Sequence, residues 1–339
     1  MTSINFEALY QEERKKAFAQ IKKSNKKNSE SSTSSKPLSD DGDSSIFRKR
    51  IKKIDLLNYK LDIGIDSIYY IGEFISIEEE KALVDAIYRD DDDDGKKELN
   101  YGEKNSWVSL SKRRLKNLGG VPHPSGMYSE NLPKYIHDFN KVLYQSGLDI
   151  EQFVQQDEEP SLMESQDSVH PVLYNQSHHL KETARYNQVL LNEYQCGKGI
   201  RPHKDGPLYL DVALVLSLQS TCLIDFYAEK PKTEFEEIPE NISCSVFLQP
   251  RSLLIFCGKA CTDYFHGVRD SDRDEIDASK CMNMSQANVE HAQLIPRGPT
   301  RLSLTIRKVR HVVSEKVFTS HEAEEIERRR KWWEQAIDN

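Results

Sequence analysis

From Asn187 onward the chain breaks into short runs rich in β-branched and aromatic residues, at 187–195, 209–218, 222–228, 243–249, 252–257, 262–266 and 301–309. Many short strands separated by turns argue against alternating β-α units and predict a sandwich or barrel. The last run is the most regular. In Arg301-Leu302-Ser303-Leu304-Thr305-Ile306-Arg307 polar and apolar residues alternate, so on a strand Arg301, Ser303, Thr305 and Arg307 share one face. Two guanidinium groups turned into such a barrel are costly unless an anion meets them, and a dicarboxylate would.

The polar residues of an earlier strand follow the same rule. Asn192 and Tyr194 close the apolar run Val189-Leu190-Leu191, and their i, i+2 spacing projects both side chains to one side. Gly197 and Gly199 turn the chain, after which His203 and Asp205 offer an imidazole and a carboxylate at the same spacing. His266, at the end of a later apolar run, supplies a third candidate ligand. Two histidines and one carboxylate around a metal with open positions opposite is the donor set of non-haem Fe(II) oxygenases, the open positions taking cosubstrate and oxygen. With Asn192 and Tyr194 as neutral hydrogen-bonding groups and the two arginines as cations, the inventory suits 2-oxoglutarate. Two plainer alternatives stay open: His203 and Asp205 on a surface turn, or a structural zinc site at Cys257, Cys261 and His266, which lacks a fourth ligand at suitable spacing.

These motifs resemble those of the AlkB-type Fe(II)/2-oxoglutarate dioxygenases. The resemblance runs from about Ile68 to Arg310 and is carried by Asn-Glu-Tyr (192–194), Pro-His-Lys-Asp-Gly-Pro-Leu-Tyr (202–209), Gln-Pro-Arg-Ser-Leu-Leu (249–254), His266-Gly267 and the Arg301–Arg307 strand. Gly-Gly-Val-Pro-His-Pro-Ser-Gly (119–126) is similar to the homologue 6 branch of that family. The resemblance implies a mostly β fold with flanking helices, the double-stranded β-helix or jelly roll. It implies that His203, Asp205 and His266 hold Fe(II), and that Asn192, Tyr194, Arg301 and Arg307 hold 2-oxoglutarate. Ser303 stands where the family often has Asn, and a shorter hydroxyl there could still donate a hydrogen bond. The implied reaction uses O2 to hydroxylate an N-methyl group on an RNA or DNA base, which releases formaldehyde. A protein or small-molecule hydroxylase and a non-catalytic binding module of the same fold are the alternatives.

Outside the strands, Asn5–Lys23 reads as a charged helix, 24–45 as a serine-rich disordered linker, and Arg48–Lys53 as a basic arm that is an import signal, a phosphate contact or a solvated linker end. The expected organisation is therefore 1–53 as a charged segment, 54–313 as the dioxygenase domain and 314–339 as a C-terminal helix opened by the Thr319/Glu322 capping box. Ser76 and Glu79 form another such box, opening a helix through Tyr88, and Pro133–Gln145 is a second helix. Asp90–Asp94 reads as a solvated loop, and 149–183, 229–242 and 269–298 as insertions or surface loops. Six cysteines without a Cys-x-x-Cys pair read as free thiols in a reducing compartment. With no signal peptide and no long apolar run, a monomer in nucleus and cytoplasm, without membrane contact, is expected.

Charge limits the substrate. Residues 1–53 carry 13 Lys and Arg against 7 Asp and Glu, so with a net charge of −8 for the chain the remainder stands at −14. A general polyanion binder is excluded for that part, and any nucleic-acid contact must be local. Lys112, Arg113, Arg114 and Lys116 are the one such basic cluster within the 54–313 domain upstream of the jelly-roll strands, leading into the Gly/Pro-rich segment around His123. Arg113, Arg114 and His123 are therefore the candidate contacts for a single-stranded nucleic acid, with an ordinary solvated basic face as the alternative.

Overall fold

The structure is a computed structural model describing residues 45–93 except 63 and 66, 107–153 except 125, 185–231, 241–313, and the helical residues 328 and 331. Two facing sheets dominate it. The larger has seven antiparallel strands in the order β1 (Ile68–Ile71), β10 (Leu253–Cys257), β7 (Val212–Leu218), β14 (Thr300–Arg307), β5 (Gln188–Gln195), β3 (Arg114–Leu118) and β2 (Val108–Ser109). The smaller has four, in the order β6 (Ile200–His203), β11 (Phe265–Val268), β8 (Cys222–Tyr227) and β9 (Cys244–Leu248). Two short pairs complete the set, β4 (Met127–Tyr128) with β15 (Val312–Val313) and β12 (Arg273–Glu275) with β13 (Leu294–Pro296). This is the jelly-roll sandwich expected.

Alternation along the strands divides the large sheet into two faces. Leu302, Leu304 and Ile306 join Val189, Leu191, Leu214 and Leu216 in a core covered by α1 (Ile77–Asp93) and α2 (Lys134–Gln145). The opposite face looks at the small sheet and changes character across its width. On β1, β10 and β7 it is apolar, with Ile68, Tyr70, Leu254, Phe256 and Val215 packed on Ile224, Phe226 and Val246. On β14 and β5 it carries Arg301, Ser303, Arg307, Asn192 and Tyr194, all buried. An apolar half thus closes the sandwich, while the buried polar side chains gather on β14 and β5 in the other half.

Several expectations are corrected. The basic arm is anchored rather than lying outside the folded part: Phe47 is 6% exposed with its ring 5.4 Å from that of Phe139, and Arg50 forks onto Glu79 at 3.1 and 3.0 Å. Glu79 also accepts from Ser76 N, so one carboxylate completes the capping box and ties down the arm. Helix α1 runs on through the aspartates to Asp93 instead of ending at Tyr88. Leu83 and Ile87 bury its inner stripe, and Asp is only about 0.7 kcal/mol poorer than Ala in a helix, too little to stop propagation. The run at 262–266 is not one strand, because Lys259–Thr262 forms a helical turn (α3) and β11 begins at Phe265. Nor is 269–298 merely a surface loop. It carries β12, β13 and the short helix α4 (Met284–Ala287), and it buries Ile276, Cys281 and Ala287 against Leu223 and Phe247 on the outer face of the small sheet.

The segments 5–23, 24–44 and 154–183, most of 229–242 and most of the expected C-terminal helix lie outside the described residues. All six cysteines are free thiols, Cys196 alone being exposed. Among the described residues no helix is long and apolar enough to cross a membrane.

Candidate active site

His203 ends β6 and His266 lies on β11, and the two are direct cross-strand partners with ring centroids 4.6 Å apart. Antiparallel register alone therefore brings together residues 63 positions apart. Asp205 follows His203 by two residues, just before Gly206, whose φ of 88° is a left-handed conformation that glycine takes freely. One ligand atom from each of the three lies within 4.8 Å of the others, the one such group of metal-ligating side chains found among the described residues. Cys257 and Cys261 do not join it; their thiols turn to the carbonyls of Ser67 and Phe256, which disposes of the zinc alternative there.

The protonation states suit a divalent metal. His203 Nδ1 lies 2.8 Å from the carbonyl of Arg201, so that nitrogen carries the proton and Nε2 keeps its lone pair. Burial pushes the His203 pKa down. Burial, reinforced by His203, takes His266 from the usual 6.5 to about 3. Both rings are therefore neutral near pH 7, the form that ligates. Burial alone would raise the Asp205 pKa, but its neighbours, the Arg307 guanidinium foremost, outweigh it and hold the carboxyl below its usual range. Arg307 Nη1 donates to Asp205 Oδ1 at 2.8 Å, while Oδ2 is buried without a partner among the described residues, as is His266 Nδ1. Two neutral imidazoles, one ionised carboxylate and an unsatisfied carboxylate oxygen fit Fe(II).

The two arginines of β14 play different parts. Arg307 is spent largely on the protein: besides Asp205 it donates to Gln188 Oε1 at 3.1 Å and lies 3.9 Å over the Tyr209 ring. Arg301 is 7% exposed and has no carboxylate partner among the described residues. Its Nη2 donates to Ser217 Oγ at 2.8 Å and stands 3.4 Å from Ser303 Oγ, its guanidinium is 5.7 Å from the Tyr194 ring, and its Nε has no partner among the described residues. A buried guanidinium met only by hydroxyls is several kcal/mol short of compensation, which an entering anion supplies. A small cavity opens beside it, lined by Tyr194, Cys222, Val268, Arg297 and Gly298. Asn192 pairs across the strands with Ser303, and Ser303 with Ser217, so the three polar side chains form one row beside the Tyr194–Arg301 pair.

The basic cluster is not a solvated face. Arg114 and Glu193 are cross-strand partners on the helix-covered side, away from the metal-ligating group; the guanidinium forks onto the carboxylate at 2.8 Å twice and lies 4.3 Å from the Trp107 ring. Glu193 also accepts from Tyr88. Lys116 is fully buried with its ammonium 5.3 Å from Trp107, and Lys112 is paired with Asp270. His123 is 2% exposed and presents no ring to a large substrate. Of the three substrate candidates only Arg113 reaches the site, where its Nε donates to Asn192 Oδ1 at 3.0 Å. Sequence reasoning missed Ser217, Gln188 and Tyr209. Ser217 had a signal, as the lone hydroxyl at an inward position of Val-Ala-Leu-Val-Leu-Ser-Leu.

No family model matches the chain. The curated protein "Probable RNA/DNA demethylase ALKBH6" of Danio rerio is 31% identical over 270 residues, covering 78% of this chain and 95% of that protein. The "tRNA (carboxymethyluridine(34)-5-O)-methyltransferase ALKBH8" of Mus musculus is 26% identical over 79% of this chain but only 34% of its own length. Among solved structures, OsALKBH1 aligns at a TM-score of 0.39 and 17% identity, covering 71% of this chain and 98% of that one. A Pseudomonas putida prolyl-4-hydroxylase aligns at 0.36 and 13%, covering 73% and 95%.

Proposed function

Because the chain belongs to the AlkB family of Fe(II)/2-oxoglutarate-dependent dioxygenases, we propose that it removes methyl groups oxidatively from bases of single-stranded RNA or DNA. The observation that carries the chemistry is the convergence of His203, Asp205 and His266, with Arg307 of β14 on Asp205 and Arg301 of the same strand buried without an anionic partner among the described residues. In this proposal the first three hold Fe(II). Arg301 and Ser217 would receive a carboxylate of 2-oxoglutarate, with Tyr194 and Asn192 as further hydrogen-bonding partners. Fe(II) with 2-oxoglutarate, when bound, activates O2 to insert one oxygen atom into a substrate C–H bond. The chain holds its imidazoles neutral by burial and keeps Asp205 ionised and oriented through Arg307. It also excludes water from one side of His266 with Phe226 and Phe256, whose rings lie 6.1 and 5.0 Å away. Once an N-methyl group carries a hydroxyl, loss of formaldehyde needs no further catalytic group.

The preference for nucleic acid draws on the demethylase name of the Danio rerio relative. A single strand suits the chain better than a duplex, because the described basic cluster is consumed internally and offers no stripe for two phosphate backbones. That same observation favours a second reading, hydroxylation of a protein or small molecule. Mass spectrometry separates them. Single-stranded N-methylated RNA and DNA oligonucleotides, incubated with enzyme, Fe(II), 2-oxoglutarate and O2, should lose methyl groups with equimolar formaldehyde and succinate. Intact oligonucleotides, together with an oxygen atom gained by a protein or metabolite from an extract, would establish the second.

A further inference from the structure

Arg113 sits at the tip of the β2–β3 hairpin, where Leu110 N donates to its carbonyl at 2.8 Å. Its neighbours pin the tip on both sides, Lys112 to Asp270 beyond β11 and Arg114 to Glu193 on β5. The side chain is half-buried, and its Nε donates to Asn192 Oδ1 at 3.0 Å. Asn192 is 3% exposed, so the two ends of its amide, one acceptor and one donor, cannot both turn to water. Its Nδ2 makes no hydrogen bond to any described residue, nor do the Nη atoms of Arg113.

We propose that Arg113 is a positioning residue for the cosubstrate, fixing the Asn192 amide with its oxygen toward the guanidinium so that its NH2 is left to donate to a bound anion. The inference rests on the proposed role of Asn192 and Arg301 as 2-oxoglutarate ligands. A carboxylate or keto oxygen needs donors, and a flipped amide would offer an acceptor while setting NH2 against N–H of the guanidinium. The Arg113 charge also reaches Tyr194 and His203, adding positive potential where an anion enters.

The test is isothermal titration of 2-oxoglutarate into the full chain loaded with Mn(II) in place of Fe(II). Arg113→Ala and Asn192→Ala should each weaken binding roughly tenfold, and the double variant should bind no more weakly than Asn192→Ala alone. Arg113→Gln should restore most of the affinity, because its Nε2 stands as many bonds from the backbone as Arg Nε and makes the same contact without charge. Wild-type affinity in Arg113→Ala, or losses that multiply in the double variant, overturn the proposal. So does Arg113→Lys outperforming Arg113→Gln, which would make the contribution one of charge. Arg301→Ala serves as reference. If it weakens binding while Arg113→Ala does not, the positioning role alone falls; if neither does, the cosubstrate assignment falls and this inference with it.

Discussion

Arg307 Nη1 donates to Asp205 Oδ1 at 2.8 Å, leaving Oδ2 as the buried oxygen of that carboxylate without a partner among the described residues. The ion pair therefore determines which oxygen is left for another partner. Arg307→Ala should lower Mn(II) affinity about 10- to 100-fold, the usual penalty for losing the group that orients a ligand. Arg307→Lys should recover only part of it, since an ammonium cannot bridge Gln188 and Asp205 while lying over Tyr209. Electron paramagnetic resonance of free Mn(II) measures both, and unchanged affinity in Arg307→Ala would remove the orienting role.

The histidines make metal-free stability depend on pH with a definite sign. His266 is held near 3 in the fold against 6.5 when free, and His203 is also lowered, so between those values the unfolded chain binds more protons than the folded one. Stability is thus greatest above about 6.5 and declines as pH falls, by at most about 1.4 kcal/mol per pH unit for each histidine. His266→Gln lacks that loss. Melting of metal-free protein at pH 7.5 and 5.5 should show the variant gaining on wild type at the lower pH, whereas a constant difference would mean His266 is not buried neutral.

Glu79 joins the arm to the domain. It accepts from Arg48 N, Ser76 N and the Arg50 guanidinium, so Glu79→Ala should remove a helix cap and a partly buried ion pair together, roughly 2–3 kcal/mol. Phe47→Ala, which empties a site against Phe139 and the α1–α2 core, should cost about 3–5 kcal/mol. Urea unfolding reports both, and wild-type midpoints would put the arm back outside the fold.

What was legible in the sequence followed from local spacing. His203 with Asp205, Asn192 with Tyr194, and the alternating Arg301–Arg307 strand each declare a face within a few residues, because strand alternation has a period of two. Partnerships across the chain were not legible. Nothing near Arg114 announces that Glu193, 79 residues later, will neutralise it, or that Arg113, one position away and thus on the other face, will meet Asn192 instead. The 269–298 excursion looked like a loop because its few apolar residues show no period. They pack only once Leu223 and Phe247 are turned outward by the register of β8 and β9.

That excursion is held by an ion pair away from solvent. Arg297 forks onto Asp274 at 2.8 and 2.6 Å, and its Nη1 donates to the carbonyl of Arg269. Asp274→Ala would leave a buried guanidinium uncompensated and should destabilise by roughly 3–5 kcal/mol. Asp272→Ala, at the exposed pair with Arg273, should be indistinguishable from wild type in the same unfolding experiment.

If His203, Asp205 and His266 form a single iron site that drives 2-oxoglutarate turnover, metal content and succinate formation must be lost together. Wild-type protein reconstituted anaerobically with Fe(II) should hold one metal per chain and form succinate from 2-oxoglutarate and O2 without added substrate. His203→Ala, Asp205→Ala and His266→Ala, each with an unaltered circular dichroism spectrum, should lose the metal and the succinate together. Full metal content and undiminished succinate in all three variants would mean that these residues hold no iron.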